Sequence, residues 1–426
     1  MTESTKKLHG QLNRNRLLLG ILSFVLGAGA LLFLLSLQLK IAPETRLGLT
    51  FRIWDWSSIS WIGLGLAALA YLVTGLNGGQ LIKNLPNMVE IYPNMNSEET
   101  TIGAVAIEDI VTWTKDLADE MSVEIRTILI HEAHEPNAAT SFSIGKGNLI
   151  FLNRNLIEIC TPEGIKSVIA HELGHVDGSD VLWKVLSVLP QQLAGLWLFL
   201  ICIQCAAMIP FSDGFGAFAV RTLAALGCLT LGGILLGVVK KVSQMYAQTK
   251  EYMADLAAAR VVSPEGMINA LLRVYARSYT LTQFKAGLVR TSAANTFNEA
   301  VRFFPVGDLS KEDIQSAIPK ALVQAQLSMM ERWFQIEIPS AKKREWIELI
   351  EQLEPQVKPS KDAAAFAWRI FDLNKDGYLQ QEEISVLIHR LITDPSALDG
   401  GGGDHPPMRD RILKVAAAFD IQPREK

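Results

Sequence analysis

The sequence is poor in cysteine and has no large excess of charge of either sign. Four cysteines in 426 residues cannot form a disulfide framework, and three of them lie in apolar runs: Cys202, Cys205 and Cys228. Forty basic and forty-four acidic side chains give a net charge of -4. Disulfide-rich and disordered classes are therefore excluded, and nucleic acid is not the expected partner.

The sequence is instead rich in apolar residues, which are concentrated in long runs. Hydrophobic residues make up 49% of the chain and the mean hydropathy is +0.21, whereas a water-soluble protein of this length usually has a negative value. Four runs are long enough to cross a bilayer as helices: 17–39, 56–82, 185–209 and 222–239. The sequence thus predicts an α-helical membrane protein with four transmembrane helices.

The charges beside these runs predict which side of the membrane the other segments occupy. Basic residues precede the first run and follow the fourth: Lys6, Lys7, Arg14, Arg16, Lys240, Lys241 and Lys250. By the positive-inside rule, both termini are expected in the cytoplasm. Four crossings also leave residues 83–184 and everything after the fourth run on the same face of the membrane.

One short motif predicts a metal site. His171, Glu172 and His175 form an H-E-x-x-H pattern, and Thr161 followed by Pro162 is typical of a helix start just upstream. Residues four apart lie on one helix face, so both histidines can bind one tetrahedral Zn²⁺ while Glu172 takes a proton from the attacking water. The alternative is a surface helix with two incidental histidines.

A catalytic zinc site needs a third protein ligand, and Glu251 is the candidate. Two predicted crossings separate His175 from Glu251, and an even number returns the third ligand to the side of the first two. Asp255 lies one helical turn further on and can accept the free ring N–H of a liganding histidine. An exposed helix face is the competing interpretation of Glu251 and Asp255.

The order span, span, H-E-x-x-H, span, span, third ligand resembles that of the HtpX-like family of membrane zinc metalloproteases, relatives of the CAAX prenyl proteases. The resemblance implies a mainly α, α+β zincin-type domain with a small β-sheet whose edge strand binds the substrate. It places Asn137 and Ala138 on that strand. The family normally reads Asn-Ala-Phe-Ala, whereas this chain has Ala139 and Thr140 at the last two positions.

The C-terminal segment from His405 to Ile412 resembles the family motif H-P-P-x-x-x-R-I. The resemblance implies that His405 and Arg411 lie beside the zinc as catalytic residues that stabilise the oxyanion or orient the ligands. The other interpretation is a turn followed by a helix start. His131 and His134 lie three apart at the end of a predicted strand and receive no ligand role.

A long helical insert, 263–404, separates the third-ligand helix from this motif and carries an EF-hand at about 360–395. The six predicted calcium ligands are Asp372, Asn374, Asp376, Tyr378 through its carbonyl, Gln380 and Glu383. EF-hands usually pair, and any partner here is degenerate or supplied by another subunit. Ca²⁺ either moves the insert over the protease cleft or is structural, and both interpretations stay open.

The sequence thus predicts seven consecutive segments. They are a cytoplasmic tail (1–16), a first transmembrane hairpin (17–82), the first half of the catalytic domain (83–184), a second hairpin (185–239), the third-ligand helix (240–262), the insert (263–404) and a C-terminal catalytic segment (405–426).

The predicted function is that of an integral-membrane zinc endopeptidase with Zn²⁺ and Ca²⁺ as metals. The resemblance implies a multi-pass protein of the cell inner membrane, with its active site in the cytoplasm and misfolded membrane or unfolded proteins as substrates. No oligomeric state is predicted. One alternative is a catalytically silent, calcium-responsive membrane adaptor on a protease scaffold. A CAAX-type prenyl-protein protease ranks lower because that group has more spans.

Overall fold

The structure is a computed structural model in which the chain is mainly helical with one small mixed sheet. It describes residues 3–41, 47–51, 65, 68–69, 78–94, 99–143, 147–176, 189–196, 198–199, 214–290, 297–305, 311–335, 337–351, 368–394, 398 and 405–425. The predicted combination of many helices with a small sheet is confirmed.

The elements are numbered here in chain order. The helices are α1 (Glu3–Ser36), α2 (Gly78–Lys83), α3 (Ile107–Glu120), α4 (Arg154–Ile159), α5 (Pro162–Gly174), α6 (Phe215–Val261), α7 (Pro264–Arg290), α8 (Phe297–Ala300), α9 (Lys311–Phe334), α10 (Ser340–Glu351), α11 (Gln381–Thr393) and α12 (Met408–Ala418). Short 3-10 turns cover Val301–Phe303 and Trp368–Phe371. The strands are β1 (Leu37–Ile41), β2 (Leu47–Phe51), β3 (Met88–Tyr92), β4 (Thr101–Ile102), β5 (Val105–Ala106), β6 (Ile125–His131), β7 (Ala138–Ser143) and β8 (Gly147–Asn153).

The main sheet has the order β3-β6-β8-β7, which places β7 at an edge. Strands β6 and β8 run parallel, while β3 and β7 pair antiparallel with their neighbours. In the β7–β8 pair, Ala138 lies opposite Leu152. Helix α2 lies beside β7.

Helix α5 lies in the middle of the main hydrophobic core. Ile165, Ile169 and Leu173 recur at helical spacing and are all 0% exposed. They pack with residues of the sheet, α6 and α7. Gly174 sits where α5 crosses α6, since a Cβ at this position would lie 3.2 Å from Cα of Ala254. Small residues on both helices thus let their backbones approach closely.

Helix α6 is a single helix of 47 residues that joins two predicted segments. Its first part is the fourth predicted span, and its last part carries the predicted third ligand. Helix α1 packs along it, and Gly20 of α1 meets the ring of Tyr246, with 3.2 Å between its notional Cβ and a ring carbon. One rigid element therefore connects the apolar part of the chain to the metal-site candidates.

The described residues test the predicted spans only in part. Among them, the stretch Lys6–Leu32 of α1 is long and apolar enough to cross a membrane. Helix α1 already begins at Glu3, so the predicted tail is helical, and residues 37–39 of the first predicted span belong to β1. Most of the second span and much of the third lie outside the described residues. Four spans therefore stay a prediction.

The described parts of the first, third and fourth spans pack together. The hydroxyl oxygens of Ser23 and Ser243 lie 2.7 Å apart, and Ser243 donates to the side-chain oxygen of Gln191 at 3.0 Å. The same three segments also share an apolar cluster that contains Ala30, Ala194, Leu198 and Val239. Gln191 in the third span thus has a protein partner rather than lipid.

The predicted insert does not stand apart from the catalytic core. Phe371, Leu379, Ile384 and Leu387 belong to the same hydrophobic core as α5. The predicted helix after the calcium loop is α11, whereas the 3-10 turn Trp368–Phe371 is the described part of the segment before it. Earlier in the insert, α8 and α9 pack on the end of α7 in a second, smaller cluster.

Candidate metal centre

Helix α5 begins where the sequence predicts. The hydroxyl of Thr161 accepts a hydrogen bond from the N–H of Gly164 at 3.2 Å, and Pro162 occupies the first helical position. The helix ends at Gly174, and His175 follows it with φ -78 and ψ -19, which is still a right-handed helical conformation. His171 and His175 therefore face the same side.

Three side chains from α5 and α6 converge at the C-terminal end of α5. Nε2 of His175 lies 3.2 Å from Nε2 of His171 and 3.4 Å from Oε1 of Glu251. Nε2 of His171 lies 3.7 Å from Oε2 of Glu251. Within the part of the chain that the structure describes, this is the one group of three or more His, Cys, Asp or Glu side chains whose ligand atoms all lie within 4.8 Å of one another.

These separations fit a tetrahedral zinc ion. Ligand atoms about 2.0–2.1 Å from such an ion lie about 3.3–3.4 Å from each other. His171, His175 and Glu251 would supply three ligands and leave one position open, which is the pattern of catalytic rather than structural zinc sites. The exposed fractions of the three side chains are only 9%, 19% and 12%. The residues present thus fit Zn²⁺.

Asp255 connects the ring of His171 to Arg411. Oδ1 of Asp255 lies 2.9 Å from Nδ1 of His171. On its other side, Arg411 donates from Nε to Oδ2 at 2.8 Å and from Nη2 to Oδ1 at 2.5 Å, a bidentate pair. Asp255 is 1% exposed and Arg411 is 8% exposed. The pair fixes the orientation of the His171 ring, with Nε2 directed to the metal position.

Neighbouring charges at the site shift the pKa values of Glu251, Asp255 and Arg411 toward their charged forms. Burial raises the pKa of Glu251, but the adjacent rings of His175 and His405 outweigh burial and hold this pKa below its usual range. Burial likewise opposes ionisation of Asp255, and the guanidinium of Arg411 reverses the effect and lowers the pKa. Burial lowers the pKa of Arg411, yet Asp255 and Glu251 raise it overall. Both carboxylates are thus ionised, as metal ligation and its support require.

His405 and Arg411, both from the C-terminal segment, reach the third ligand. Nδ1 of His405 lies 3.2 Å from Oε2 of Glu251, and Nη1 of Arg411 lies 3.5 Å from the same oxygen. The Glu251 carboxylate accordingly raises the pKa of His405. The side chain of His405 is 70% exposed, whereas that of Arg411 is 10% exposed. Of the two, His405 is the one placed to meet a bound substrate.

Glu172 lies next to the edge strand. Its backbone carbonyl accepts a hydrogen bond from the hydroxyl of Thr140 in β7 at 3.3 Å, and the residue is 8% exposed. Asn137, just before β7, is exposed, and its carbonyl accepts from the N–H of Asn153 at 2.8 Å. Ala138 is the first residue of the strand. The structure thus places Ala138 on the strand that adjoins the metal helix and Asn137 immediately before it.

Two features of the site do not follow from the sequence patterns. One is the close crossing at Gly174 and Ala254, and the other is the hydrogen bond from Thr140 to α5. The available signal for the second was the threonine itself, which stands where the HtpX-like pattern has an alanine. His131 lies away from the metal cluster, with Nδ1 3.3 Å from Oδ1 of Asn153.

The predicted calcium ligands lie together in the loop between the 3-10 turn Trp368–Phe371 and α11. Oε1 of Glu383 accepts from the N–H of Leu373 at 2.7 Å, and Oε2 accepts from the N–H of Gln380 at 2.9 Å. The side chains of Asn374 and Gln380 both donate to Oδ2 of Asp376. The loop carboxylates do not converge as tightly as the three zinc-site candidates.

Comparison with known proteins places this site in a protein class. Peptidase family M48 matches residues 107–332, more than half of the chain, and the chain belongs to that family. The matched region contains α5 with its H-E-x-x-H pattern and the end of α6 with Glu251. It also extends beyond residue 263, where the sequence predicts the start of the insert.

Individual relatives carry one recurring name. Protease HtpX of Chromohalobacter salexigens is 26% identical over 169 residues, which cover 38% of this chain and 54% of the relative. Protease HtpX of Stutzerimonas stutzeri is 26% identical, with 39% and 57% covered. Protease HtpX of Actinobacillus pleuropneumoniae is 23% identical, with 48% and 77% covered. The resemblance to HtpX-like metalloproteases is thereby confirmed, although the chain spans only about half the length of the first two relatives. No solved structure matches the chain.

Proposed function

We propose that this protein is an integral-membrane zinc endopeptidase that hydrolyses peptide bonds. The observation that carries the proposal is the convergence of His171, His175 and Glu251, with Glu172 in the same motif, in a chain that belongs to a peptidase family. The separations of the ligand atoms suit a tetrahedral ion with one open position.

The chain's own residues divide the chemistry between them. Zinc held by His171, His175 and Glu251 would polarise the scissile carbonyl and lower the pKa of the attacking water. Glu172 takes the proton from that water as the water attacks the carbonyl carbon. When the C–N bond breaks, Glu172 delivers the same proton to the leaving amine. Glu172 thus ends each cycle in the ionised state in which it began.

Two further residues of the C-terminal segment have different roles. Arg411 is buried and directs its donors to Asp255 and Glu251, so it is a positioning residue for the metal ligands. His405 is exposed and lies beside Glu251, where its ring can donate a hydrogen bond to the oxyanion that forms during attack. His405 is therefore proposed as a catalytic residue and Arg411 as a positioning residue.

The edge strand β7 is the proposed binding surface for an extended substrate peptide. A peptide beside Asn137 and Ala138 would add a strand to the sheet and pass close to Glu172, whose carbonyl is bonded to the same strand. We propose polypeptides as the substrate class. Misfolded membrane proteins, removed in quality control, are the finer proposal, and it rests on the HtpX-like resemblance alone.

Exposed apolar side chains support a membrane location. Leu32 on α1, Phe199 in the third predicted span, and Leu223 and Ile234 on α6 are each more than 60% exposed. Such a surface on three packed segments suits contact with lipid. We propose four spans in the cell inner membrane with both termini in the cytoplasm. At about 1.5 Å per helical residue, Glu251 would then lie roughly 18 Å beyond the fourth span.

The test compares full-length protein, purified in detergent, with its Glu172→Gln variant. Zinc content is measured by elemental analysis, and proteolysis is measured on unfolded casein. We expect the variant to retain zinc and to lose activity by about 100-fold or more. The matched control is Glu120→Gln at the exposed end of α3, which should keep both. Equal activity of Glu172→Gln and wild type would overturn the proposal.

The same experiment separates the competing functions. A calcium-responsive adaptor without catalysis would show no casein hydrolysis in the zinc-loaded wild type. A CAAX-type protease would cleave prenylated peptides and leave unfolded casein intact. The joint presence of His171, Glu172, His175 and Glu251 favours the enzyme over the adaptor. Modulation by calcium is proposed as an effect on the stability of the domain.

A further inference from the structure

The candidate calcium loop packs against the zinc domain. Leu379 in the loop is 0% exposed and lies in the same hydrophobic core as Ile165 and Ile169 of α5. Asn269 of α7 satisfies both backbone groups of Leu379: its Oδ1 accepts from the N–H at 2.8 Å, and its Nδ2 donates to the carbonyl at 2.9 Å. Buried backbone groups require such partners. The side-chain amide of Asn269 therefore makes the two hydrogen bonds that the backbone of a neighbouring strand would make in a paired EF-hand.

Two more contacts tie the loop to the start of α5. Arg273, one turn beyond Asn269 on α7, donates to the carbonyl of Gly377 and to the carbonyl of Ile159, which lies 2.8 Å away at the end of α4. The hydroxyl of Tyr378 lies beside Glu163, in the first turn of α5, and beside Ser263; burial and the Glu163 carboxylate raise the pKa of this phenol. The loop thus contacts the helix that carries both zinc-site histidines at its other end.

A buried polar atom in the loop indicates a ligand. Asp372 is 9% exposed, and its Oδ2 accepts from the N–H of Gly377 at 2.9 Å. Its Oδ1 is buried and has no hydrogen-bond partner among the described residues. A carboxylate oxygen in this position loses its hydration without compensation, and a cation in the loop would replace the lost partners. Gly377 has φ +80, the left-handed turn that the EF-hand motif places at this glycine.

We propose that loop 372–383 binds one Ca²⁺ and that the bound ion stabilises the zinc domain through Asn269, Arg273 and Tyr378. The ligands are the six predicted groups, with the carbonyl of Tyr378 between the two carbonyls that α7 holds. The loop carboxylates must draw closer around the ion, which Ca²⁺ tolerates because its coordination is flexible, whereas Mg²⁺ demands a near-ideal octahedron.

In this arrangement, the calcium loop needs no second EF-hand, and bound Ca²⁺ does not move the insert over the protease cleft. Asn269 occupies the place of a partner loop, so binding needs no second subunit. Glu163 and His171 are separated by two turns of α5, about 12 Å along its axis. Ca²⁺ therefore acts at the far end of the zinc helix, where it stabilises the helix start, and it does not cover the cleft.

The test uses full-length, zinc-loaded protein in detergent and Ca²⁺ itself as the probe. Titration calorimetry should show one Ca²⁺ per chain, with Mg²⁺ bound at least 10-fold more weakly. Saturating Ca²⁺ should raise the Tm by roughly 5 °C. Glu383→Gln should lose both binding and the Tm shift while it keeps its zinc. Wild type that fails to bind Ca²⁺, or that binds it without a Tm shift, would overturn the proposal.

The role of Asn269 has its own variants. Asn269→Ala leaves every calcium ligand in place and should weaken Ca²⁺ binding about 10-fold. The matched control is Asn148→Ala, whose amide donates to the carbonyl of Glu124 at the surface, and it should bind like wild type. Tyr378→Phe removes only the hydroxyl contacts with α5 and should reduce the Ca²⁺-induced Tm shift. A full shift in Tyr378→Phe, or unchanged affinity in a folded Asn269→Ala, would contradict the proposal.

Discussion

The two candidate metal sites lie toward opposite ends of α5 and are built in opposite ways. The zinc-site residues come from two helices far apart in the chain, and their ligand atoms already lie within 4.8 Å of one another. The calcium-loop residues come from one continuous stretch, 372–383, and their carboxylates are not drawn together to the same degree. A preformed site suits a metal with fixed tetrahedral geometry, and an adjustable loop suits Ca²⁺.

The zinc site depends on residues other than its ligands. Gly174 and Ala254 let α5 and α6 approach, while Asp255 and Arg411 form a buried ion pair behind His171. The calcium loop is supported instead by two side chains of α7, Asn269 and Arg273, which donate to backbone carbonyls of the loop. Helix α5 thus joins a site assembled by tertiary packing to a site encoded by local sequence.

The largest effect should come from removing the buried ion pair of Asp255 and Arg411. Arg411→Met leaves Asp255 as an uncompensated buried charge, so we expect the free energy of unfolding to fall by about 3–5 kcal/mol. Loss of the Asp255 orientation should also weaken zinc binding by about 10–100-fold. Denaturant unfolding and zinc competition with a chelator measure the two effects.

The control for that variant is Arg390→Met on α11, whose ion pair with Asp394 is exposed on the surface. Its free energy of unfolding should stay within about 0.5 kcal/mol of wild type. If Arg411→Met also kept its free energy of unfolding within this range and held zinc as tightly as wild type, the zinc site would not depend on the buried pair.

A smaller effect should distinguish the calcium loop from the zinc site. We expect Ca²⁺ to slow amide hydrogen exchange in the loop, including the N–H groups of Leu373 and Gly377, by up to about 100-fold at a concentration 100 times the Kd. The amides around His175, at the other end of α5, should change less. Mass spectrometry with and without Ca²⁺ measures both segments. Equal slowing at both ends would remove the distinction.

The smallest effect should come from the start of the shared helix. Thr161→Ala removes the cap that accepts from the N–H of Gly164, and we expect a loss of about 1 kcal/mol in the free energy of unfolding. Thermal unfolding measures it, with Thr393→Ala at the exposed end of α11 as the control. A loss confined to the control would show that the helix start does not need its cap.

Local motifs could be predicted from the sequence because their geometry is local. The start of the zinc helix, with its cap at Thr161, follows from neighbouring residues, and the same holds for the order of ligands in the calcium loop. The position of β7 at the sheet edge was implied by the family resemblance and is observed.

Long-range partners could not be predicted, because no local pattern encodes them. Nothing near Asn269 indicates that its amide pairs with Leu379, and the motif at Arg411 does not reveal that its partner is Asp255. The predicted insert, 263–404, also has long-range partners of this kind. Its contacts with α5 and α7 involve single side chains and buried apolar residues rather than a repeated pattern.

The central claim is that Glu251 completes a zinc site whose other ligands are His171 and His175. The most direct test is the zinc content of full-length wild type, Glu251→Ala and Glu383→Gln after dialysis against a metal-free buffer. We expect one zinc per chain in wild type and in Glu383→Gln, and none in Glu251→Ala. Full zinc content in Glu251→Ala would contradict the claim.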